Sequence, residues 1–473
     1  MKSRGTKNMN KNKAFNPYLP CYEYIPDGEP YVFGDRVYIY GSHDIYDRNG
    51  FCSGQYIGWS ASVNDLSDWQ CEGVIWHRDW DPCFKPESSG MLHAPDATKG
   101  PDGRYYLYYP LNLTSSIGVA VCDTPAGKYE YLGRIKHPDG TIYGCKKGDP
   151  LACDPAILVD DDGRIWMYAG YAPHNAELHE QLMTAGIGAD AAYVVELEKD
   201  MLTIKQGPVK VAPSKFISDG TGFEGHGFFE ASSIRKINGR YYFIYSPEHG
   251  HELCYATGDT PMGPFRYGGV IISNVDVEYE GNTQYKAING NNHGSICEIN
   301  GQYYIFYHRQ TGAGLARQAC AEKINIEKDG SIKQVCVTSC GLSSSPLAAS
   351  GTYPAYIACN LINASARFAQ DKPDGDTTAK QYIKGIKNGG CIGFKYFDFC
   401  KTDKISVNAK PCGNGVLKVY SDSTDTAPKA IIKLSASDDF TLFSSDAKFD
   451  DGVHALFFVY EGDETMDLLE FSF

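Results

Sequence analysis

Five polar residues stand at matching places along the chain, each roughly seven to nine residues before a glycine that starts a hairpin motif. They are Asp27, Asp96, Asp154, Glu230 and His293. Aspartate is frequent in the turn before a strand whatever the function, so one such residue would be uninformative. Five at matched positions favour another interpretation, in which the side chains converge on one end of a central axis and can perform acid–base chemistry.

Three of these carboxylic acids form a set suited to hydrolysis of a glycosidic bond. An inverting hydrolase needs one carboxylate as the base for a water and one protonated acid for the leaving group, about 6.5–9.5 Å apart. The acid stays protonated near neutral pH only where burial or a neighbouring anion raises its pKa. Asp27, Glu230 and Asp154 together meet this requirement.

A repeated hairpin motif predicts the elements that position these side chains. In each copy a glycine, suited to the positive φ of a tight turn, precedes aromatic and β-branched residues typical of a strand. The copies span residues 34–40, 103–109, 163–168, 239–245 and 301–307. Their glycines lie roughly 60–76 residues apart, which leaves room for one four-stranded antiparallel sheet each. The sequence therefore predicts an all-β fold that begins with a five-bladed β-propeller.

Composition divides the chain into four parts. Residues 1–15 are predicted to be a flexible leader rich in lysine and asparagine, and residues 16–340 the propeller. The serine-rich stretch 341–352 is predicted to be a linker. Strand-like apolar runs in residues 353–473 predict a β-sandwich of the jelly-roll kind.

Two insertions interrupt the predicted propeller. Residues 172–191 contain a stretch suited to a short helix. Residues 215–227 are glycine-rich and are predicted to form a mobile loop directly before Glu230. Loops of this kind on the ligand face of a propeller usually decide which substrate fits.

The net charge and the cysteine content limit the possible binding partners and the cellular compartment of the protein. The formal net charge of −14 argues against nucleic acid or an anionic membrane as a partner, because both require basic faces. No apolar signal segment follows the basic start of the chain, and nothing approaches transmembrane length. The sixteen cysteines are therefore expected to be reduced thiols of a cytoplasmic protein, and their spacing argues against a zinc site.

Short motifs in the first 340 residues resemble glycoside hydrolase family 43. They are Asn16-Pro17, Ala94-Pro95-Asp96, Asp154-Pro155, Phe228-Phe229-Glu230 and His293-Gly294, in that order. Each motif alone is weak, and the resemblance rests on the ordered set. It implies a five-bladed propeller enzyme that hydrolyses arabinofuranosides or xylosides with inversion.

The resemblance also implies roles for single residues. Asp27 is expected to be the general base, Glu230 the general acid, and Asp154 the carboxylate that raises the pKa of the acid and orients the substrate. Glu29 is a rival base, because the first motif reads Asp27-Gly28-Glu29-Pro30 whereas the family commonly has Asp directly before Pro. Asp27 is preferred because its seven-residue step to Gly34 matches the step from Asp96 to Gly103.

Four further residues are candidate substrate ligands by resemblance. His93 replaces a tryptophan common in the family and is expected at the floor of the sugar pocket. Asp96 is expected near the substrate, with a purely structural role as an equal alternative. Arg309 is expected to reach the sugar or the tuning carboxylate, with a surface ion pair as the alternative. His293 resembles an axial histidine that reaches a central Ca²⁺ or a water network. No cofactor is expected for the chemistry itself, and a structural Ca²⁺ at the axis would contact His293 directly or through water.

The C-terminal part resembles family 6 carbohydrate-binding modules through residues 393–397 and 452–456. It is expected either to capture polysaccharide or only to support the propeller, and the second is preferred. The leading functional hypothesis is release of terminal α-L-arabinofuranosyl residues from short oligosaccharides. The alternatives are a β-xylosidase on xylo-oligosaccharides, a non-catalytic sugar-binding propeller, and a retaining five-bladed enzyme.

Overall fold

The computed structural model describes residues 14–112, 116–363 and 365–473. Its regular secondary structure consists mostly of antiparallel β-strands, as the sequence predicts. Of the predicted leader 1–15, residues 1–13 lie outside the described residues, and Ala14 is buried in an apolar cluster. No helix in the described part of the chain is both long and apolar enough to cross a membrane.

Five antiparallel sheets follow one another along the first two thirds of the chain. The first contains β1 (Glu29–Phe33), β2 (Arg36–Tyr40), β3 (Tyr56–Ser62) and β4 (Asp65–Trp76). The second contains β5 (Asp96–Lys99), β6 (Tyr105–Pro110), β7 (Ile117–Cys122) and β8 (Glu130–Arg134). The third contains β9 (Ala156–Val159), β10 (Ile165–Ala169), β11 (Ala191–Leu197) and β12 (Ile204–Pro213). The fourth contains β13 (Phe228–Ile237), β14 (Arg240–Pro247), β15 (Glu252–Gly258) and β16 (Arg266–Ser273). The fifth contains β17 (Ile296–Ile299), β18 (Gln302–Gln310) and β19 (Arg317–Ile324).

Each predicted hairpin glycine lies between the first two strands of its sheet. At the first of them Gly34 has a φ of +66°, and Phe33 pairs with Arg36 across the turn. Apolar clusters then join every sheet to the next one, and Trp59 and Phe306 pack the first sheet against the fifth. The sheets therefore form a closed ring, an arrangement that fits a five-bladed propeller.

The fifth sheet has three strands in the described part of the chain, whereas the repeat predicts four. The N-terminal segment lies beside β19 in place of the missing outer strand. The Tyr18 amide donates to the Ala319 carbonyl at 3.2 Å, and Asn16 exchanges hydrogen bonds with the backbone of Ala321. The two ends of the ring are thus joined by a segment from the start of the chain.

Two six-stranded sheets form the C-terminal part and share one apolar core. One contains β20 (Leu347–Ala348), β22 (Asn360–Ile362), β25 (Cys391–Phe399), β27 (Gly415–Ser421), β28 (Ala430–Leu434) and β30 (Gly452–Gly462). The other contains β21 (Thr352–Pro354), β23 (Arg367–Gln370), β24 (Gln381–Ile386), β26 (Lys404–Pro411), β29 (Thr441–Asp446) and β31 (Met466–Ser472). Because β20 pairs with β25, part of the predicted linker 341–352 belongs to these sheets.

Helical structure in the described residues is confined to short segments. The α-helix α1 (Ala176–Thr184) confirms the helix predicted within the first insertion, and the Asn175 side chain caps it by accepting from the Leu178 amide. Single 3₁₀ turns span Arg78–Trp80, Tyr279–Gly281 and Ala355–Ile357.

Candidate active site

The first strands of the five sheets are the inner ones. β1 contacts β17, and β9 contacts both β5 and β13. A cavity of about 480 Å³ opens where these strands begin. Of the five matched residues, Asp27, Asp154, Glu230 and His293 line this cavity, together with the predicted His93. The ring therefore brings together three carboxylic acids that are far apart in the sequence.

Asp27 and Asp154 are held in an uncommon backbone conformation. Each lies two residues before its inner strand, and their φ values are +58° and +48°. Non-glycine residues adopt this left-handed conformation rarely, and such positions cluster at functional sites. The Asp154 carboxylate also accepts a hydrogen bond from the Ala231 amide at 2.9 Å, which ties it to the residue after Glu230.

Asp27 is kept ionised by a buried arginine. Arg317 Nη1 lies 2.9 Å from Asp27 Oδ1, and the same guanidinium contacts both oxygens of the buried Asp44 at 2.8 and 3.1 Å. Burial alone would raise the pKa of Asp27, but Arg317, together with smaller contributions from His308, His293 and Ser42, lowers it to about 2. At neutral pH Asp27 is thus a carboxylate that can accept a proton.

His308 holds the backbone of Asp27 in place. Its Nδ1 accepts a hydrogen bond from the Asp27 amide at 3.3 Å, and its Nε2 lies 2.8 Å from the Asn291 carbonyl. Burial lowers the pKa of His308 to about 3, so the ring is neutral. These contacts assign the proton to Nε2, which donates to Asn291.

Glu230 has the opposite protonation preference. It lies where the pairing of β13 with β14 shifts register, and Ala231 beside it has a φ of +66°. Such irregularities re-aim a side chain. Burial, followed by the charges of Asp154 and Asp27, raises the pKa of Glu230 to about 8. The side chain can therefore hold a proton at neutral pH and donate it.

The link between Asp154 and Glu230 gives a prediction for the pH profile. Removing the negative charge in Asp154→Asn should lower the pKa of Glu230, because that charge opposes ionisation of the acid. The alkaline limb of kcat/KM, expected near pH 8 in the wild type, should then move to lower pH. A shift of one unit corresponds to about 1.4 kcal/mol. An unmoved limb with a lower rate at every pH would limit Asp154 to orienting the substrate.

Two of the acidic residues lie at the axis rather than in the cavity. Glu29 accepts from Arg235 at 2.7 Å and does not line the cavity, so the structure favours Asp27 over this rival base. Asp96 is fully buried, and its two oxygens accept from the Ala97 and Ile157 amides at 2.7 Å each. The structure therefore favours the structural alternative for Asp96, which belongs to the axial network, where burial and Glu29 raise its pKa to about 8.

The axis suits a water better than a directly bound Ca²⁺. His293 Nε2 and Glu29 Oε1 are buried and lie 3.9 Å apart, and neither has a hydrogen-bond partner among the described residues. Ca²⁺ takes six to eight oxygen ligands, whereas this pair supplies one carboxylate oxygen and one imidazole nitrogen next to the Arg235 guanidinium. A bridging water would satisfy both atoms. On its other side His293 Nδ1 lies 3.9 Å from Asp154 in the cavity.

Arg309 is neither a sugar ligand nor a surface ion pair. It is buried between the ring and the C-terminal sheets, where it donates to the carbonyls of Tyr356 and Ala358 at 2.8 and 3.0 Å. The arginine that reaches the cavity is Arg317, which the sequence-based prediction missed. The sequence signal that could have found it is an arginine two residues before the small and apolar run Ala319-Cys320-Ala321.

Replacing Arg317 should affect both stability and pH dependence. Arg317→Met leaves Asp27 and Asp44 as buried charges without the guanidinium that pairs with both, which costs about 3–5 kcal/mol. Because the pKa of Asp27 is lowered from 3.8 to about 2 in the folded protein, its ionised form stabilises the fold at pH values above 3.8. This stabilisation is lost as the pH falls from 3.8 toward 2. The variant should lack this contribution at neutral pH.

Urea denaturation at pH 7 measures the stability loss, and the acid limb of kcat/KM should move to higher pH as the pKa of Asp27 rises. Arg317→Lys is the matched control, because it keeps the charge and loses the forked contact with Asp44. Wild-type stability in Arg317→Met would contradict the assigned role.

The rest of the cavity wall combines aromatic and apolar groups with the amide side chains of Asn289, Asn291 and Gln310. Phe51, Tyr171, Phe229 and Leu315 supply surfaces suited to the apolar faces of a sugar ring. His93 lies on the wall, and burial lowers its pKa, so it is neutral near pH 7. The site thus combines the ionised Asp27 carboxylate, the protonated Glu230 acid next to Asp154, and a wall of apolar, aromatic and amide side chains.

The chain is similar to known glycosidases over most of its length. Residues 26–332 match the family model described as glycosyl hydrolases family 43. A "Xylosidase/arabinosidase" of Thermoclostridium stercorarium is 45% identical, over 98% of this chain and 99% of the relative. An "Arabinoxylan arabinofuranohydrolase" of Paenibacillus polymyxa is 26% identical over 95% of this chain and 73% of the relative.

A solved structure agrees in fold. The family 43 arabinoxylan arabinofuranohydrolase of Bacillus subtilis, in complex with cellotetraose, superposes with a TM-score of 0.54. The match covers 98% of both chains at 23% identity, so this likeness concerns the fold alone. The family model and the full-length relative together establish the assignment. The chain belongs to glycosyl hydrolases family 43.

Proposed function

We propose that the protein is an inverting glycoside hydrolase that removes terminal α-L-arabinofuranosyl residues from arabinose-containing oligosaccharides. The observation that carries the proposal is the opposite protonation of two acids in one cavity. Asp27, with a pKa of about 2, is ionised, while Glu230, with a pKa of about 8, holds a proton at neutral pH. When the environment pushes the pKa values of two such groups apart, one can act as the base and the other as the acid of the same reaction.

The residues take distinct parts in the reaction. Asp27 accepts a proton from a water as that water attacks the anomeric carbon. Glu230 donates its proton to the glycosidic oxygen as the bond to the leaving sugar breaks. Arg317 keeps Asp27 charged, and Asp154 keeps Glu230 protonated and faces the sugar with His293 and His93. The chemistry requires no cofactor.

The choice of arabinose rests on the relatives that match both parts of the chain. Their names are xylosidase/arabinosidase and arabinoxylan arabinofuranohydrolase. Xylosidase is part of the first name, so β-xylosidase activity on xylo-oligosaccharides is the second candidate. Both sugars present similar hydroxyl groups, and the loops around the cavity select between them.

Release of p-nitrophenol from p-nitrophenyl α-L-arabinofuranoside and β-D-xyloside, measured side by side, tests the choice. A higher kcat/KM for the arabinofuranoside supports the proposal, and the reverse order makes the protein primarily a xylosidase. If neither is hydrolysed, titration calorimetry with arabino- and xylo-oligosaccharides decides whether the propeller only binds sugar.

We also propose that residues 16–340 form the five-bladed propeller and residues 353–473 a β-sandwich that supports it. Contacts between the two parts favour support over polysaccharide capture. Asp374 accepts from the Tyr46 amide at 2.8 Å, and Arg367 pairs with Asp47 at 3.2 Å. Both contacts fix the loop that leads to Phe51 in the cavity wall.

A further inference from the structure

Three metal-ligating side chains meet in the fourth sheet, outside the cavity. They are His226, in the loop before β13, and Glu252 and Cys254 on β15. Glu252 and Cys254 are two residues apart on one strand, so they face the same side of the sheet. His226 Nδ1 lies 3.1 Å from Glu252 Oε2, and Cys254 Sγ lies 3.9 Å from each of these atoms.

These separations fit the ligands of one tetrahedral ion. Bonds of about 2.0–2.3 Å at a tetrahedral angle place ligand atoms about 3.3–3.6 Å apart. The observed separations of 3.1, 3.9 and 3.9 Å bracket that range, so shifts of a few tenths of an ångström would bring all three atoms to bonding distance. A nitrogen, a carboxylate oxygen and a sulfur are also the ligand types that Zn²⁺ takes in proteins.

The charges at the cluster favour a cation. The Glu252 side chain is 1% exposed, and its ion-pair contacts in the described part of the chain are the imidazoles of His226 and His251, at 3.1 and 4.0 Å. Neither contact supplies a permanent positive charge. A divalent ion bound by neutral His226, the Glu252 carboxylate and the Cys254 thiolate would leave no net charge, with the thiol proton released to solvent.

We propose that His226, Glu252 and Cys254 form a Zn²⁺ site with a water as fourth ligand. The site would tie the glycine-rich loop 215–227 to β15. That loop leads directly into Phe229 and Glu230, which line the cavity, and the Tyr245 hydroxyl already holds the His226 carbonyl at 2.8 Å. The sequence argued against zinc because no cysteine pair shows a ligand spacing. Here a single cysteine is joined by residues from a strand and a distant loop.

Titration of the metal-free protein with Co²⁺ tests the site, because a cobalt–thiolate bond gives a charge-transfer absorption band. We expect the band to saturate at one equivalent and to disappear when Zn²⁺ displaces the Co²⁺. Cys254→Ser should abolish the band. Loss of an outer-shell partner typically lowers metal affinity by about 10–100-fold. Because Cys254 is proposed as a direct ligand, Cys254→Ser should lower the Zn²⁺ affinity by more than that. Cys145→Ser, which removes an exposed thiol, and His249→Ala, which removes the neighbouring imidazole, are the matched controls and should keep the band.

Absence of the band in the wild type, or its survival in Cys254→Ser, would overturn the proposal. If Cys254→Ser does not fold, Glu252→Gln tests the site instead, because it keeps the side-chain shape and the Cys254 thiol. A lower Zn²⁺ affinity in this variant supports the proposal, and an unchanged affinity contradicts it. The readout is spectroscopic and none of the three residues lines the cavity, so the result is independent of whether the proposed hydrolytic function holds.

Discussion

Asp27→Asn should lower kcat by about 10²–10⁴-fold, the range that a positioned general base contributes. The amide has nearly the same shape as the carboxylate, and its oxygen can still accept from Arg317. It cannot take a proton from water, so the loss should fall on kcat while sugar affinity stays close to that of the wild type. Initial rates on an oligosaccharide, together with calorimetric binding of the product sugar, separate the two effects.

Glu29→Gln is the matched control for this prediction. It makes the same chemical change two residues away, at the axis, where Glu29 contacts Arg235 and does not line the cavity. The variant should lose stability, because a buried ion pair is broken, and should keep most of its turnover at a temperature where it is folded. Near-normal turnover in Asp27→Asn with loss of turnover in Glu29→Gln would assign the base to Glu29.

Glu230→Gln should separate substrates by their leaving groups. The natural oligosaccharide leaves as an alkoxide unless it receives a proton, so kcat should fall by about 10²–10⁴-fold. p-Nitrophenolate leaves readily without protonation, so the aryl glycoside should stay within about tenfold of the wild type. The alkaline limb, assigned to the Glu230 pKa of about 8, should vanish from the variant's profile on the aryl substrate.

Glu224→Gln is the matched control, since it removes an exposed carboxylate from the loop before the same strand. It should leave both substrates unaffected. An equal loss on both substrates in Glu230→Gln would mean that Glu230 does not donate the proton, and that its carboxyl group only positions the sugar.

The repeat along the chain was enough to predict the sheets, because a tight turn and a strand depend on local sequence. Gly34 and its counterparts need positive φ, and the aromatic runs behind them are buried on both sides in a ring. The missing outer strand of the fifth sheet could not be predicted in this way. It depends on Asn16 and Tyr18 pairing with residues about 300 positions later.

The sequence predicted that the acidic residues lie near the axis of the ring, but it could not predict which of them line the cavity and which lie deeper along the axis. In the hairpin registers Glu29 pairs with Tyr40 and Asp96 with Tyr108, each as the first residue of its inner strand. Asp96 is therefore the counterpart of Glu29. The matching seven-residue step pointed to Asp27 because the hairpin glycine is the first residue of the two-residue turn 34–35 but the fourth residue of the five-residue turn 100–104. Asp27 and Asp154 form the layer nearer the cavity, each two residues before its strand.

Arg317 and Arg309 show a further limit of sequence reasoning. Both are buried arginines at the ends of neighbouring strands, and their partners come from distant parts of the chain. Arg317 contacts Asp27 before β1 and Asp44 after β2, whereas Arg309 contacts carbonyls of the C-terminal part. Only the three-dimensional packing decides which of the two faces the cavity.

The most direct test of the central claim is the configuration of the first sugar released. Proton NMR during the first minutes of hydrolysis, before the anomers equilibrate, identifies it on an α-L-arabinofuranoside. Direct attack of a water activated by Asp27 predicts the β-anomer, with the α-anomer growing in later by mutarotation. The α-anomer as first product would require a covalent intermediate on the enzyme and would contradict the assignment of Asp27 as the base.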